Sequence, residues 1–225
     1  GEVVSILGEN GAGKSTLIKI LGGIYKADSG EIYIDGEKKN INSAAVAGAN
    51  GIRIIHQEII LVPARTIAAN VFLGREIKNK LGLVDEKAME RETQKVIDDF
   101  HLNLRADQLV EHLSIGMQQL VDIIKAVSAQ AKILVMDEPT SSLSQSEVET
   151  LFGIIRMLKA KGVGIIYISH RLEELFEITD KIVVLRDGKM VGSVPTAEAD
   201  KDELIKMMVG RELTCYYTRN KHEIK

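Results

Sequence analysis

The chain has 225 residues, enough for one large α/β domain with a full core or two small ones, and 45% of them are hydrophobic against 27% charged, an ordinary globular balance. The formal net charge of −3 argues against a surface built to coat nucleic acid, and nucleic acid is not an expected partner. The single cysteine, Cys215, excludes an intrachain disulfide, and no apolar run approaches the roughly 20 residues needed to span a bilayer.

Opening on Gly1 and entering a strand at once, with no basic segment ahead of its apolar residues, the sequence reads as a fragment or processed chain without a signal peptide. Val3–Leu7 is a short apolar run bounded by glycine, a buried strand. Gly8–Lys14 is a glycine-rich turn, and Ser15–Leu21 reads as a helix with Leu17, Ile18 and Leu21 on one face. Glu31–Asp35 alternates apolar and polar residues between two glycines, the pattern of an antiparallel strand. Ile52–His56 is a further apolar run, ending at Gln57.

The texture then becomes helical. Thr66–Leu73, Asp85–Phe100 and Ile115–Ala129 form a helical subdomain, about residues 66–129, inserted into the α/β core. Ile133–Met136 is continuously apolar, as at the centre of a parallel sheet. Ser144–Lys161 is a helix opened by a capping box of Ser144 with Glu147, and Val163–Ser169 is the next buried strand. Arg171–Ile178 is helical, and Lys181–Arg186 is a strand turned by Asp187–Gly188. Asp200–Val209 is a helix with a second capping box, Asp200 with Glu203. One domain thus covers residues 1–210, and 211–225 read as a polar tail or linker. Alternating strands and helices predict a mostly parallel, helix-covered sheet with an antiparallel β edge.

Three segments carry chemistry. Gly8-Glu9-Asn10-Gly11-Ala12-Gly13-Lys14-Ser15 fits the phosphate-loop pattern G-x-x-x-x-G-K-[ST], after a strand and opening a helix. Glycines let successive backbone N–H groups turn inward onto phosphate oxygens, and the helix N-terminus adds partial positive charge. Lys14 reaches the β- and γ-phosphates, Ser15 offers a hydroxyl to Mg²⁺, and Thr16 can donate to the α-phosphate. Asp137 and Glu138 end an apolar strand, at the carboxyl edge where parallel sheets bind ligands. Asp137 suits the Mg²⁺, and Glu138 the attacking water. In Ser114-Ile115-Gly116-Met117-Gln118-Gln119, Ser114 is a good N-cap and Gly116 clears space for a ligand. A second phosphate-binding helix start is superfluous for one nucleotide; its obvious use is in trans, on the nucleotide of a partner domain, and the alternative is an ordinary capped helix.

These motifs, with Gln57 after a strand and Ser169–His170 after the strand that follows Asp137–Glu138, stand in an order that resembles the ABC ATPase family over nearly the whole chain. The resemblance implies a P-loop NTPase core that binds ATP and Mg²⁺. It implies that Gln57 lies near the metal and the attacking water, that Ser114 and Gly116 contact a partner's γ-phosphate, and that His170 acts on the γ-phosphate. Glu9–Lys14, His56-Gln57-Glu58, Ser141–Ser144, Ile168–Glu174 and Met207–Arg211 are similar to the monosaccharide-importer branch (ribose, galactose and xylose types). There, one polypeptide carries two nucleotide-binding domains, and this chain resembles the N-terminal one. The partners implied are the second nucleotide-binding domain, a transmembrane permease and, indirectly, a sugar-binding protein. The location implied is cytoplasmic, peripheral on the inner face of the cell membrane. Ile115 and Met117 depart from the usual signature, Ser144 from the usual aspartate, and the aromatic residue that stacks on adenine falls upstream of Gly8. A soluble ABC ATPase acting on ribosomes or DNA is the alternative, against which the lack of a basic balance weighs. A nucleotide-gated binding module without turnover is a further one, against which Glu138 and His170 weigh.

Overall fold

The computed structural model describes residues 1–210, so the polar tail at 211–225, Arg211 and Cys215 lie outside the described residues. The elements in chain order are β1 (Val3–Leu7), α1 (Lys14–Leu21), β2 (Ile32–Ile34), β3 (Glu37–Lys39), α2 (Ala44–Ala49), β4 (Ile52–Ile55), α3 (Ile67–Val71) and α4 (Glu86–Asp99). Then follow α5 (Ile115–Ser128), β5 (Ile133–Asp137), α6 (Gln145–Ala160), β6 (Gly164–Ile168), α7 (Leu172–Ile178), β7 (Lys181–Arg186), β8 (Lys189–Pro195) and α8 (Lys201–Val209).

Six strands make one sheet in the order β4-β5-β6-β1-β7-β8, parallel throughout except for β8, which pairs antiparallel with β7 at one edge. The expected antiparallel edge therefore exists, but β8 forms it. The strand read at Glu31–Asp35 is β2, which pairs with β3 in a separate two-stranded sheet. Three residues are too few to make a strong strand signal of β3, and α2, six residues rich in alanine and glycine, lacks a helical stripe long enough to register.

The two faces of the large sheet follow from the period of two along each strand. Leu134 and Met136 of β5, with Ile165 and Tyr167 of β6, point into the main core beneath α3, α4, α5 and α6. Val135 and Ile168, one residue out of phase, point to the other face, against Ile18 of α1. A third cluster joins Ile34, Ile41 and Ala47 to Ile52, which seats the β2–β3 hairpin and α2 beside β4. The helices between β4 and β5 have no separate core. Ile67, Val71 and Ile97 belong to the same cluster as Leu7 and Leu134.

The capping box at Ser144 and Glu147 forms as its spacing predicts. The one expected at Asp200 forms by half: Asp200 accepts from the Glu203 N–H at 3.0 Å, and no return bond from Glu203 accompanies it among the described residues. No helix among the described residues is long and apolar enough to cross a membrane.

Candidate active site

The parallel pairing of β4, β5, β6 and β1 aligns their carboxyl ends, and every sequence-predicted site residue but two emerges there. β1 runs into the glycine loop, whose chain reverses at Gly13. With φ at 103° Gly13 stands in the left-handed region, which frees the next N–H groups at the start of α1. The loop is braced from behind. Ala12 is buried and accepts from Gly188 N–H at 3.0 Å in the β7–β8 turn. A side chain at Gly8 would strike the Leu185 carbonyl of β7. Asn10, Gly11, Gly13, Lys14, Ser15 and Thr16 line a cavity of about 230 Å³ with Gln57, Asp137 and Glu138. Gly8, Glu9 and His170 face an adjoining cavity that shares Lys14, Gln57 and Glu138 with the first.

Within this space Lys14 folds back, its ammonium donating to the carbonyls of Gly8 at 2.7 Å and Glu9 at 3.0 Å. The charge is held over the loop, ready to exchange two carbonyls for anionic oxygen. Burial first, and then the neighbouring Glu138 charge, push the Asp137 carboxyl above its ordinary range, while His56 and Lys14 pull the other way. A half-buried carboxylate raised by its surroundings is one that a cation would relieve. A carboxylate, the Ser15 hydroxyl and the Gln57 amide are hard oxygen donors, few in number. They fit Mg²⁺, which takes its remaining ligands from water and phosphate rather than from an all-protein cage.

Glu138 takes a φ of 48°, in the left-handed region, which costs a residue with a side chain on the order of 1 kcal/mol. Its N–H donates to Ile168 at 2.9 Å, so the β5–β6 ladder runs on into the turn and holds the backbone there. The side chain reaches across to His170, whose Nδ1 lies 3.2 Å from Oε1.

Ser114 and Gly116 line neither cavity. Ser114 caps α5, accepting from the Met117 N–H at 3.1 Å, and also donates to Glu147 at 3.3 Å. The Glu147 carboxylate lies where a side chain on Gly116 would stand. It accepts from the Ser144 N–H and hydroxyl at 2.9 and 2.8 Å, so an anion of the chain itself rests on this helix start. Sequence reasoning missed three contributors to the main site. His56 acts on Asp137 through its charge, Met208 of α8 closes one wall of the larger cavity, and the Gly188 turn braces the loop. Each lies in a segment whose pattern the sequence shows, beside Gln57, within Met207–Arg211 and in the Asp187–Gly188 turn, but its part in the site arises only through folding.

Comparison with known proteins decides the family. The ABC transporter family model matches residues 1–141, more than half of the chain. The chain belongs to the ABC transporter family. Among curated relatives, this ABC-family chain is 48% identical over its whole length to the ribose import ATP-binding protein RbsA of Lactococcus lactis subsp. cremoris, covering 46% of that protein. It is 47% identical over 219 residues to a putative ribose/galactose/methyl galactoside import ATP-binding protein of Rhizobium meliloti, covering 43% of it. The ABC-family chain thus spans about half the length of the curated relatives it matches. Among solved structures, the ADP conformation of an ATP-binding cassette of an ABC transporter superposes with a TM-score of 0.79 at 25% identity, over 93% of this chain and 88% of that one. A nucleotide-free cassette gives 0.77 at 26% identity over 93% and 85%. The fold is therefore that of an ATP-binding cassette, an α/β phosphate-loop domain with a mostly parallel sheet.

Proposed function

We propose that the chain is the ATP-binding and ATP-hydrolysing domain of an importer for a sugar of the ribose or galactose type. The observation that carries the ATPase reading is the convergence of Lys14, Ser15, Gln57, Asp137 and Glu138 on one cavity beside a glycine loop. The sugar reading rests on the names of relatives 47–48% identical to it. Those relatives are about twice as long, which supports a second nucleotide-binding domain in the same polypeptide. A permease and an external sugar-binding protein complete the machine, with this domain peripheral on the cytoplasmic face of the membrane. The segment from about 66 to 129 serves in this reading as the helical subdomain that meets the permease.

In this mechanism the loop N–H groups and Lys14 hold the triphosphate, with Thr16 towards the α-phosphate. Ser15, Asp137 and Gln57 would hold Mg²⁺, which would supply positive charge against the charge of the phosphates. Water attacks the γ-phosphorus, the bond to the β–γ bridging oxygen breaks, and ADP departs. Glu138 orients the water and accepts its proton, and His170, within hydrogen-bond reach of Glu138, steadies the γ-phosphate. Ser114 and Gly116 address the γ-phosphate bound by the partner domain, which requires the Glu147 carboxylate to leave the start of α5.

Glu138→Gln tests this reading, since the amide keeps size and polarity but cannot take the proton. Single-turnover hydrolysis is expected to fall by about 10²–10⁴-fold with ATP binding retained. Hydrolysis within a few-fold of the parent would remove Glu138 as the base. Co-purification of the full-length protein with a permease, rather than with ribosomes, checks the transport assignment.

A further inference from the structure

The catalytic pair proposed above sits on two separate loops. Glu138 leads the loop after β5 and His170 lies in the loop after β6, so their 3.2 Å contact depends on how those loops are held together. Below them lies a carboxylate that the mechanism does not use. Glu174, in the first turn of α7, is only 7% exposed. Thr140, two residues beyond Glu138, donates to it, with Oγ1 2.8 Å from Oε1 and 3.0 Å from Oε2. Ser169, one residue before His170, donates to Oε2 at 2.9 Å. The Tyr167 hydroxyl donates to the same oxygen at 2.8 Å, and the Arg171 guanidinium reaches Oε1 at 3.3 Å. Ser169 Oγ in turn accepts from the Arg171 N–H at 3.0 Å.

A buried carboxylate is costly unless its lone pairs are met, and here hydroxyl donors from both loops meet them. Tyr167 stays a donor, since burial first and the charge of Glu174 next push its phenol up. Burial alone could have been served by an apolar residue of similar size. What the carboxylate adds is direction: two acceptor oxygens at one fixed point, each taking a bond from a different loop or from both.

We propose that Glu174 is a positioning residue for ATP hydrolysis, tying the Glu138 loop through Thr140 and the His170 loop through Ser169 to one buried point. The role rests on the ATPase reading above, and it touches neither nucleotide nor water directly.

Glu174→Gln, Thr140→Val and Thr140→Ser in the full-length protein test it. Glu174→Gln and Thr140→Val are expected to lower kcat about tenfold to a hundredfold, the scale of a misplaced catalytic group. The KM for ATP should stay within about threefold, because the groups that hold the triphosphate are untouched. Thr140→Ser, which restores the donor, should recover the parental kcat. Amide exchange at Ser141, whose N–H donates to the Glu138 carbonyl, should quicken in Thr140→Val. A parental kcat in Thr140→Val overturns the proposal, as does a Thr140→Ser enzyme as slow as Thr140→Val. If Glu174→Gln fails to fold, the two Thr140 variants decide alone. If the parent itself hydrolyses no ATP, the functional reading falls, and unchanged exchange at Ser141 would separately remove the tether.

Discussion

At the scale of single residues, Asp137 shows how a site can be a burden on the fold that carries it. Burial and the neighbouring Glu138 raise its carboxyl, so the folded chain binds that proton more readily than the unfolded chain does. Ionising it therefore costs stability. The cost is absent below the ordinary aspartate value near 3.8, grows as pH rises towards the folded value, and is fully present above it. Asp137→Asn should accordingly melt at or above the parental temperature at pH 7 without nucleotide, and the difference should shrink as pH falls towards about 4. The same variant should lose most of the stabilisation that Mg-ATP gives the parent in a thermal-shift assay. A lower melting temperature at pH 7 in the absence of nucleotide would show that Asp137 is supported by its surroundings rather than opposed by them. Glu138 carries a similar burden in its backbone, since φ of 48° is tolerated only because the β5–β6 ladder holds it.

At the scale of elements, the chain leaving Gln57 is held by a side chain from the helix that follows it. Asn70 of α3 is 1% exposed; its Oδ1 accepts from the Val62 N–H at 2.7 Å, and its Nδ2 donates to the carbonyls of Val62 and Thr66, both at 3.0 Å. Asn70→Ala leaves the Val62 N–H without its partner, while the Val62 and Thr66 carbonyls keep the N–H groups of Arg65 and residue 70, at a cost of about 1–3 kcal/mol. The expected result is a lower melting temperature and faster amide exchange in residues 58–66, with the exchange of β5 and β6 unchanged. Uniformly faster exchange would mean that the bonds support the whole fold and not this segment. The helices themselves were legible: α4 and α5 lie within a residue or two of their expected bounds, because caps at Asp85 and Ser114 and the apolar spacing agree. The Glu31–Asp35 strand was legible as a strand, but its partner was not, since alternation reports a strand's two faces and not its neighbour.

At the scale of the whole molecule, the position of Ser114 and Gly116 is what matters. They stand apart from the cavity that gathers Lys14, Asp137 and Glu138, and the Glu147 carboxylate lies against them. Under the proposed role in trans a single domain lacks part of the machinery, and specific ATPase activity of this chain should rise with its own concentration as two copies meet. Sedimentation with Mg-ATP at low concentration should show mainly monomer. High specific activity independent of concentration would contradict the role in trans.

The sequence by itself determined the phosphate loop, the acidic strand end, the helical stretch between β4 and β5 and the alternation of strands and helices. Each of these is written in short-range terms: glycine spacing, a cap and its partner three residues on, and apolar periods of two or 3.6. Only the tertiary structure decided the order β4-β5-β6-β1-β7-β8, which strand forms the antiparallel edge, the brace of Gly188 behind the phosphate loop and the meeting of Thr140, Tyr167 and Ser169 on Glu174. Strand order and such contacts join residues far apart in the chain, through pairing and burial that no local pattern encodes. A glutamate that looks like an ordinary charge in the first turn of α7 becomes a buried anchor only when two loops close over it.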